Sequence, residues 1–181
     1  MRRVIHKCFW LWNFDKEEKW LNEMAAKGFA LSSVGYCRYE FEESGSDIYH
    51  IRLEMLKRSV NNPESQSYIR FLEDTGIEHV GTLFRWVYFR KKSDGGVPFD
   101  LFSDIDSRIR HLNRILLFPI PFFAVNFFNA INWATRYIES GYNDGLSITL
   151  ACGAAAFLMA FGFVQILRKK LKLQKERVLH E

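Results

Sequence analysis

Three histidines could bring metal chemistry to the soluble half of this chain. His6, His50 and His79 each fall in a segment with the residue pattern of a β-strand, and Cys8 lies two residues after His6 on the same side. Imidazole and thiolate ligands together suit zinc or copper. Their spacing matches no metal-binding motif, so we favour three unrelated, partly exposed histidines and predict no metal site and no cofactor. Convergence of all three rings within metal-ligand distance would reverse that interpretation.

Other signals of catalysis are few. The sequence contains no glycine-rich phosphate loop, no nucleophile elbow and no HExxH motif. The carboxylates of Glu40 and Glu54 alternate with apolar residues, which is typical of the solvated face of a strand. Cys8, Cys37 and Cys152 have neither metal nor redox spacing, and their odd number predicts free thiols. We therefore predict that the protein is not an enzyme.

Aromatic residues are abundant in the predicted strands and turns of the soluble half. They include Trp10, Trp12, Tyr36, Trp86 and Tyr88. Rings on an open sheet could stack RNA bases, but the third predicted strand lacks the glycine–aromatic pattern of RNA-recognition domains, and residues 1–114 are nearly neutral. We therefore predict no nucleic-acid binding. Some rings are expected in the core, and the rest would form a surface for a protein, a peptide or the membrane.

Hydrophobic periodicity predicts an α+β domain over residues 1–93. The predicted strands are Val4–Trp12, Phe29–Phe41, Asp47–Leu56 and Ile77–Lys92, the last as one strand or as a hairpin around Gly81-Thr82. One helix is predicted after Asp15 and a second from Pro63, and each ends at a glycine, Gly28 or Gly76. The order β-α-β-β-α-β predicts a cytoplasmic ferredoxin-like domain with a single sheet.

Two apolar segments predict a two-helix transmembrane hairpin. Residues 115–134 and 146–167 contain no Asp, Glu, Lys or Arg. About 20 apolar residues in a helix suffice to cross a hydrocarbon core of roughly 30 Å. Three further segments complete the predicted organisation: a linker and amphipathic juxtamembrane helix over 94–114, a short external loop over 135–145 and a basic cytoplasmic tail over 168–181.

Charge around the two spans predicts their orientation. Arg108, Arg110 and Arg114 precede the first span and six cations follow the second, whereas only Arg136 lies between them. Basic residues mark the cytoplasmic side, so we predict a multi-pass plasma-membrane protein with both termini in the cytoplasm. The six tail cations are also expected to contact anionic lipid headgroups. They are Arg168, Lys169, Lys170, Lys172, Lys175 and Arg177.

The spans also contain residues suited to helix packing. Asn126, Asn129 and Asn132 recur every three residues and share an arc of the first span, where carboxamides avoid lipid. The second span carries a small-residue seam of Cys152, Gly153, Ala156 and Ala160. We expect this seam to pack the hairpin on itself. Homodimerisation, a larger membrane partner and a small-molecule site between the spans remain open.

Three stretches resemble the domain of unknown function 2812 family. They are FDKEEKWLNEMAAKGFAL (14–31), CRYEFEE (37–43) and GIEHVGTLFRWVYFRKK (76–92), and the similar region covers about residues 1–95. The positions that carry the resemblance are Glu18, Trp20, Leu21, Gly28, Trp86 and Phe89. The resemblance implies a small bacterial, mostly Firmicute, membrane protein without an established activity. The context it implies is membrane stress or signalling, because such proteins are described beside PadR-type regulators.

From these features we predict a non-enzymatic sensory or regulatory adaptor in the bacterial plasma membrane. Its cytoplasmic domain would bind an unidentified cytosolic or membrane protein, and envelope-stress signalling is the expected context. An accessory subunit of a transporter complex is one alternative, because the spans could then do the work while the domain docks. A membrane-tethered ligand-binding domain is the other. A stable large complex in mild detergent would favour the transporter subunit.

Overall fold

The structure is a computed structural model that describes residues 2–45, 47–93, 95, 99–102, 104–141 and 143–180. Residues 94 and 96–98 of the predicted linker lie outside the described residues. The chain divides into two compact units, Met1–Ser107 and Arg108–Glu181. The first unit is a mixed α+β domain, and the second consists of helices.

The first unit contains two consecutive β-α-β-β repeats. The first comprises β1 (Arg2–His6), α1 (Phe14–Ala26), β2 (Phe29–Gly35) and β3 (Arg38–Glu43). The second comprises β4 (Tyr49–Met55), α2 (Pro63–Asp74), β5 (Glu78–Leu83) and β6 (Trp86–Lys92). Each repeat forms an antiparallel three-stranded sheet with its last strand in the middle, in the orders β1-β3-β2 and β4-β6-β5.

The two repeats correspond residue by residue at an interval of 48. Gly28 and Gly76 follow the two helices with φ values of 82° and 81°, a left-handed conformation in which glycine ends helices without strain. The hairpin register shifts between Leu31 and Ser33 in β2, and again 48 residues later in β5. The chain therefore builds the same supersecondary unit twice.

The prediction of a single ferredoxin-like sheet is wrong, although the α+β class is confirmed. Phe29–Phe41, predicted as one strand, is instead divided between β2 and β3, and residues 77–92 form the β5–β6 hairpin, so the soluble half has six strands in two sheets. The hairpin turns at Phe84 and Arg85, whereas Gly81 belongs to β5. Phe84 has a φ of 56°, a conformation uncommon for a bulky residue, so its identity did not mark the turn. The first strand is also shorter than predicted and ends at His6.

The hydrophobic core draws on both repeats. The main cluster comprises Leu21, Met24, Ala25, Leu31, Tyr39, Phe41, Ile51, Leu53 and Tyr88. A second cluster comprises Leu56, Ile69, Leu72, Ile77, Val87 and Phe89, with Phe99 and Leu101 packed against it. Equivalent positions are buried in both repeats: Leu21 and Ile69 on the two helices, and Phe41 and Phe89 on the two central strands.

The two sheets meet along β2 and β5. A Cβ atom placed on Gly81 would lie 2.9 Å from Val34 Cγ1, so the strands approach as closely as glycine permits. Arg90 on β6 donates to the carbonyl oxygen of Leu31 on β2 at 2.8 Å and to Glu42 on β3 at 2.9 Å. One guanidinium therefore ties the second sheet to the first.

The second unit is dominated by α4 (Ile120–Ser140) and α5 (Asn143–His180), which follow α3 (Ile105–Leu117). Pro119 separates α3 from α4, and Gly141, with a φ of 63°, ends α4. Two stretches, Ile105–Ser140 and Gly145–Val178, are long and apolar enough to cross a membrane. This agrees with the two predicted spans in length and composition. The helices α4 and α5 pack as an antiparallel hairpin, and α5 extends through the predicted tail.

Candidate functional site

A buried carboxylate lies where the two repeats meet. Helix α1 carries Glu17, whose side chain is only 7% exposed. Tyr39 on β3 donates its hydroxyl hydrogen to Glu17 Oε1 at 2.7 Å, and Tyr88 on β6 donates to the same oxygen at 2.6 Å. Because Tyr39 belongs to the first repeat and Tyr88 to the second, a single oxygen atom connects the two halves of the domain. We call these three residues the carboxylate junction.

Burial controls the protonation of the carboxylate junction. Burial raises the pKa of the Glu17 carboxyl above its ordinary value of 4.5, and the hydrogen bonds from Tyr88 and Tyr39 oppose that rise. Burial and the adjacent carboxylate also raise the pKa of both tyrosines, so their hydroxyls remain protonated donors. The Glu17 carboxyl therefore takes up a proton more readily than an exposed glutamate, and the two tyrosines remain its hydrogen-bond donors.

Glu17 is not among the residues that the sequence predicted for a functional or buried site. A signal was present, because Glu17, Leu21 and Met24 lie on one face of α1 and all three are buried. A carboxylate on the apolar face of a helix requires partners inside the fold. The partners themselves lie 22 and 71 residues away, so nothing local indicated which residues they are.

Helix α1 also completes the outer edge of the second sheet. The side chain of Asn22 donates to the carbonyl oxygen of Ile51 at 2.8 Å and accepts from its N–H at 2.9 Å. Glu18 Oε2 accepts the N–H of Leu53 at 2.9 Å, and Glu18 Oε1 pairs with Arg52 at 3.3 Å. Two side chains thus replace a neighbouring strand beside β4, which protects an edge that could otherwise pair with another chain.

Exposed aromatic side chains lie at the turns of both hairpins. Tyr36 in the β2–β3 turn is 79% exposed and Phe84 in the β5–β6 turn is 74% exposed. The two residues occupy equivalent positions, 48 residues apart, and we call them the hairpin-tip pair. Single exposed apolar side chains are common on protein surfaces, so the feature that distinguishes this pair is its equivalent placement in both repeats. Aromatic residues are also enriched in protein interfaces.

The structure separates the three histidines considered for metal binding. His6 lies on β1 of the first sheet, whereas His50 and His79 lie on β4 and β5 of the second. These three strands are not neighbours in a sheet, because β1 pairs with β3 and both β4 and β5 pair with β6. The ring of His79 lies 2.9 Å from the hydroxyl of Thr82. Within the described ranges, no group of three or more His, Cys, Asp or Glu residues is arranged to hold a metal ion.

Two of the three predicted free thiols form a disulfide. Cys8 and Cys37 are bonded, with their Cα atoms 4.6 Å apart, and Cys152 is a free cysteine. The prediction failed because the pairing depends on the sheet. The β1–β3 ladder ends with His6 opposite Arg38, which brings the residues after β1 to the turn before β3. A separation of 29 residues carries no local signal of that proximity.

Some of the predicted helix-packing residues line a groove between α4 and α5, and others do not. Gly153, Ala156 and Ala160 line an apolar groove between α4 and α5, whereas Asn126, Asn129 and Asn132 do not line it. Asn126 donates to the carbonyl oxygen of Phe122 in its own helix at 2.8 Å. Cys152 is half-buried on α5. The roles of these residues in helix association stay predictions.

The predicted headgroup-binding cations all lie on α5. Arg168, Lys172, Lys175 and Arg177 are exposed, and Lys169 and Lys170 are half-buried. Because α5 is continuous to His180, these cations occupy fixed directions around a helix and do not form a loose tail. Their contact with lipid stays a prediction.

Together these features define a duplicated β-α-β-β domain followed by two apolar helices. The chain belongs to the family described as Protein of unknown function (DUF2812), whose model matches residues 13–124. The resemblance stated from the sequence is therefore confirmed. The matched region begins just before α1 and ends within α4, so it includes the carboxylate junction and excludes β1 and α5. No curated protein and no solved structure matches the chain.

Proposed function

We propose that the chain is a non-enzymatic regulatory adaptor of the bacterial plasma membrane. Its two apolar helices anchor it in the bilayer, and its duplicated domain binds another protein in the cytoplasm. The observation that carries the proposal is the hairpin-tip pair, since Tyr36 and Phe84 present aromatic rings to solvent at equivalent turns of both repeats. The carboxylate junction links those repeats, so a rearrangement there would be transmitted to both tips.

The charge distribution supports a cytoplasmic position for the domain. Arg108, Arg110 and Arg114 precede the first apolar helix, and six Lys or Arg residues follow the second apolar segment, whereas Arg136 is the single basic residue between them. We expect a fluorescent protein fused after Glu181 to fold and fluoresce. Alkaline phosphatase fused at the same place should be inactive. The reverse pair of results would contradict this orientation.

The Cys8–Cys37 disulfide bears on the same question. The cytosol keeps most cysteines reduced, so in the proposed orientation this pair is a dithiol that can close into a disulfide under oxidation. Acid quenching of intact cells followed by thiol alkylation would report its state. We expect alkylatable thiols at both positions in unstressed cells. A fully oxidised pair together with an active phosphatase fusion would place the domain outside the cytoplasm.

Partner binding can be tested with the full chain in its native membrane. After chemical cross-linking and extraction in mild detergent, we expect a cross-linked partner with the wild-type chain and its loss in Tyr36→Ser/Phe84→Ser. The matched control is Phe71→Ser, which removes a 62% exposed ring from α2. Equal cross-linking in the tip variant and the control would refute a role for the hairpin-tip pair. A large membrane complex insensitive to both variants would favour the transporter-subunit alternative.

A further inference from the structure

An open apolar groove runs along one side of the α4–α5 hairpin. One part, of about 420 Å³, is lined by residues that include Phe123, Phe127, Gly153 and Ala160. An adjoining part, of about 290 Å³, includes Phe123, Ala160 and Val164 in its lining. The shared residues make the two parts continuous, and no charged side chain lines either. A Cβ atom added to Gly153 would meet nothing within 4 Å, so α4 does not fill the space beside this glycine. We call this feature the hairpin groove.

The length of the hairpin groove fits one leaflet of a bilayer. From Gly153 to Val164 the helix rises about 16 Å at 1.5 Å per residue. That distance is close to half of a hydrocarbon core roughly 30 Å thick. A groove of this length accommodates the acyl chain of a lipid in one leaflet.

Cations continue the line of the groove beyond the apolar segment. Val164, Arg168 and Lys172 are spaced four residues apart, so they follow one side of α5 over successive turns. Lys175 follows three residues later on the same side. The side chains of Arg168, Lys172 and Lys175 are exposed. We call these three residues the cationic stripe. It begins one turn past the end of the groove, the position at which the phosphate of a lipid would lie.

We propose that the hairpin groove and the cationic stripe together form a binding site for one anionic phospholipid. One acyl chain lies in the groove, and the headgroup phosphate pairs with Arg168 and Lys172. The groove supplies apolar contact of the required length, and the stripe supplies complementary charge at the end where the chain reaches the membrane surface. This proposal rests on membrane insertion, as in the proposed function, but on neither the adaptor role nor the orientation.

The charge arm of the test compares two double variants of the full chain. The chain is reconstituted in nanodiscs of phosphatidylcholine and phosphatidylglycerol, and retained lipid is counted by native mass spectrometry. We expect wild type to retain phosphatidylglycerol preferentially. Because a cation near the membrane surface changes affinity by about fivefold, Arg168→Gln/Lys172→Gln should weaken retention by roughly 25-fold. The comparison variant, Lys170→Gln/Arg177→Gln, removes the same charge from the opposite side of α5 and should weaken retention less than Arg168→Gln/Lys172→Gln does.

The groove arm of the test changes volume without changing charge. Gly153→Leu fills the groove and should reduce lipid retention, whereas Ala154→Leu adds a leucine at an exposed position outside the groove and should not. The proposal is overturned if Gly153→Leu and Ala154→Leu retain equal amounts of lipid, or if the two charge variants weaken retention equally. It is also overturned if wild type retains phosphatidylcholine as well as phosphatidylglycerol. A lipid-free dimer that closes the groove would also overturn it. Flotation with vesicles checks insertion separately, and a chain that does not float would refute both proposals.

Discussion

Removal of one hydroxyl from the carboxylate junction tests how the two repeats are joined. In Tyr88→Phe the ring of Tyr88 remains in the core, but the 2.6 Å hydrogen bond to Glu17 is lost. Glu17 then keeps a single tyrosine donor from the first repeat, at 2.7 Å. The second repeat no longer bonds to the carboxylate at this point, although the apolar packing is unchanged. The same substitution at Tyr39 removes the donor of the first repeat.

The expected loss follows from the type of hydrogen bond. A hydrogen bond to an ionised acceptor contributes about 1.5 to 3 kcal/mol. We therefore expect Tyr88→Phe to lower the free energy of unfolding at pH 7 by about 2 kcal/mol. The double variant Tyr39→Phe/Tyr88→Phe leaves the Glu17 carboxylate without either tyrosine donor and should cost more than the two single variants added together. Its deficit should shrink on acidification, because a protonated carboxyl tolerates burial better.

The assay is urea unfolding of the full chain in detergent, followed by tryptophan fluorescence. Trp133 is replaced by phenylalanine in every variant so that α4 does not contribute to the signal. The matched control is Tyr36→Phe, which removes a hydroxyl from a side chain that is 79% exposed and should change nothing measurable. If Tyr88→Phe were no less stable than Tyr36→Phe, the carboxylate junction would not stabilise the domain, and the reasoning would be refuted.

Three further predictions follow from the same contacts. Burial raises the pKa of Glu17 in the folded state above 4.5, so its contribution to stability is present below pH 4.5 and is lost as pH rises through the folded pKa. Urea titrations at pH 5 and pH 7 should therefore show that the free energy of unfolding depends less on pH in Glu17→Gln than in wild type. Asn22→Ala should lower the free energy of unfolding by about 1 to 3 kcal/mol and speed hydrogen exchange at Ile51, whose N–H loses its acceptor. Asn22→Asp should cost at least as much, because it replaces the NH2 donor with a carboxylate oxygen beside the carbonyl oxygens of Ile51 and Glu18. Gly81→Ala should lower the free energy of unfolding in urea by about 1 to 3 kcal/mol, because its Cβ would lie 2.9 Å from Val34 Cγ1. If this clash is the cause, adding Val34→Ala to Gly81→Ala should restore most of the lost stability.

Local signals in the sequence predicted the start of α2 and the ends of both helices, whereas α1 begins at Phe14 and not after Asp15 as predicted. Pro63 begins α2 as predicted, and the side chain of Asn62 accepts the N–H of Glu64 at 3.1 Å. Gly28 and Gly76 stand just past the ends of the helices with positive φ, also as predicted. These features depend on backbone preferences within a few residues, so they can be read without knowledge of the tertiary structure.

The sheets were harder to predict because strand pairing depends on distant residues. Residues 77–92 contain two strands separated by Phe84 and Arg85, and the side chain of Phe84 does not favour the left-handed conformation that it adopts in the turn. The sequence also contains the repeat, but the two copies share structural positions more than residue types. Glu17 corresponds to Ser65 and Trp20 to Tyr68 at the interval of 48, so a search for identical residues would not reveal the duplication.

By itself, the sequence determined the α+β class, the helix ends and the two apolar segments long enough to cross a membrane. Each of these depends on composition or periodicity within a short window. Only the tertiary structure decided that the strands form two sheets, that Glu17 joins them through Tyr39 and Tyr88, and that Cys8 meets Cys37. The physical reason is that hydrogen bonds and disulfides depend on distance in space, and residues far apart in sequence reach that distance only when the whole domain folds.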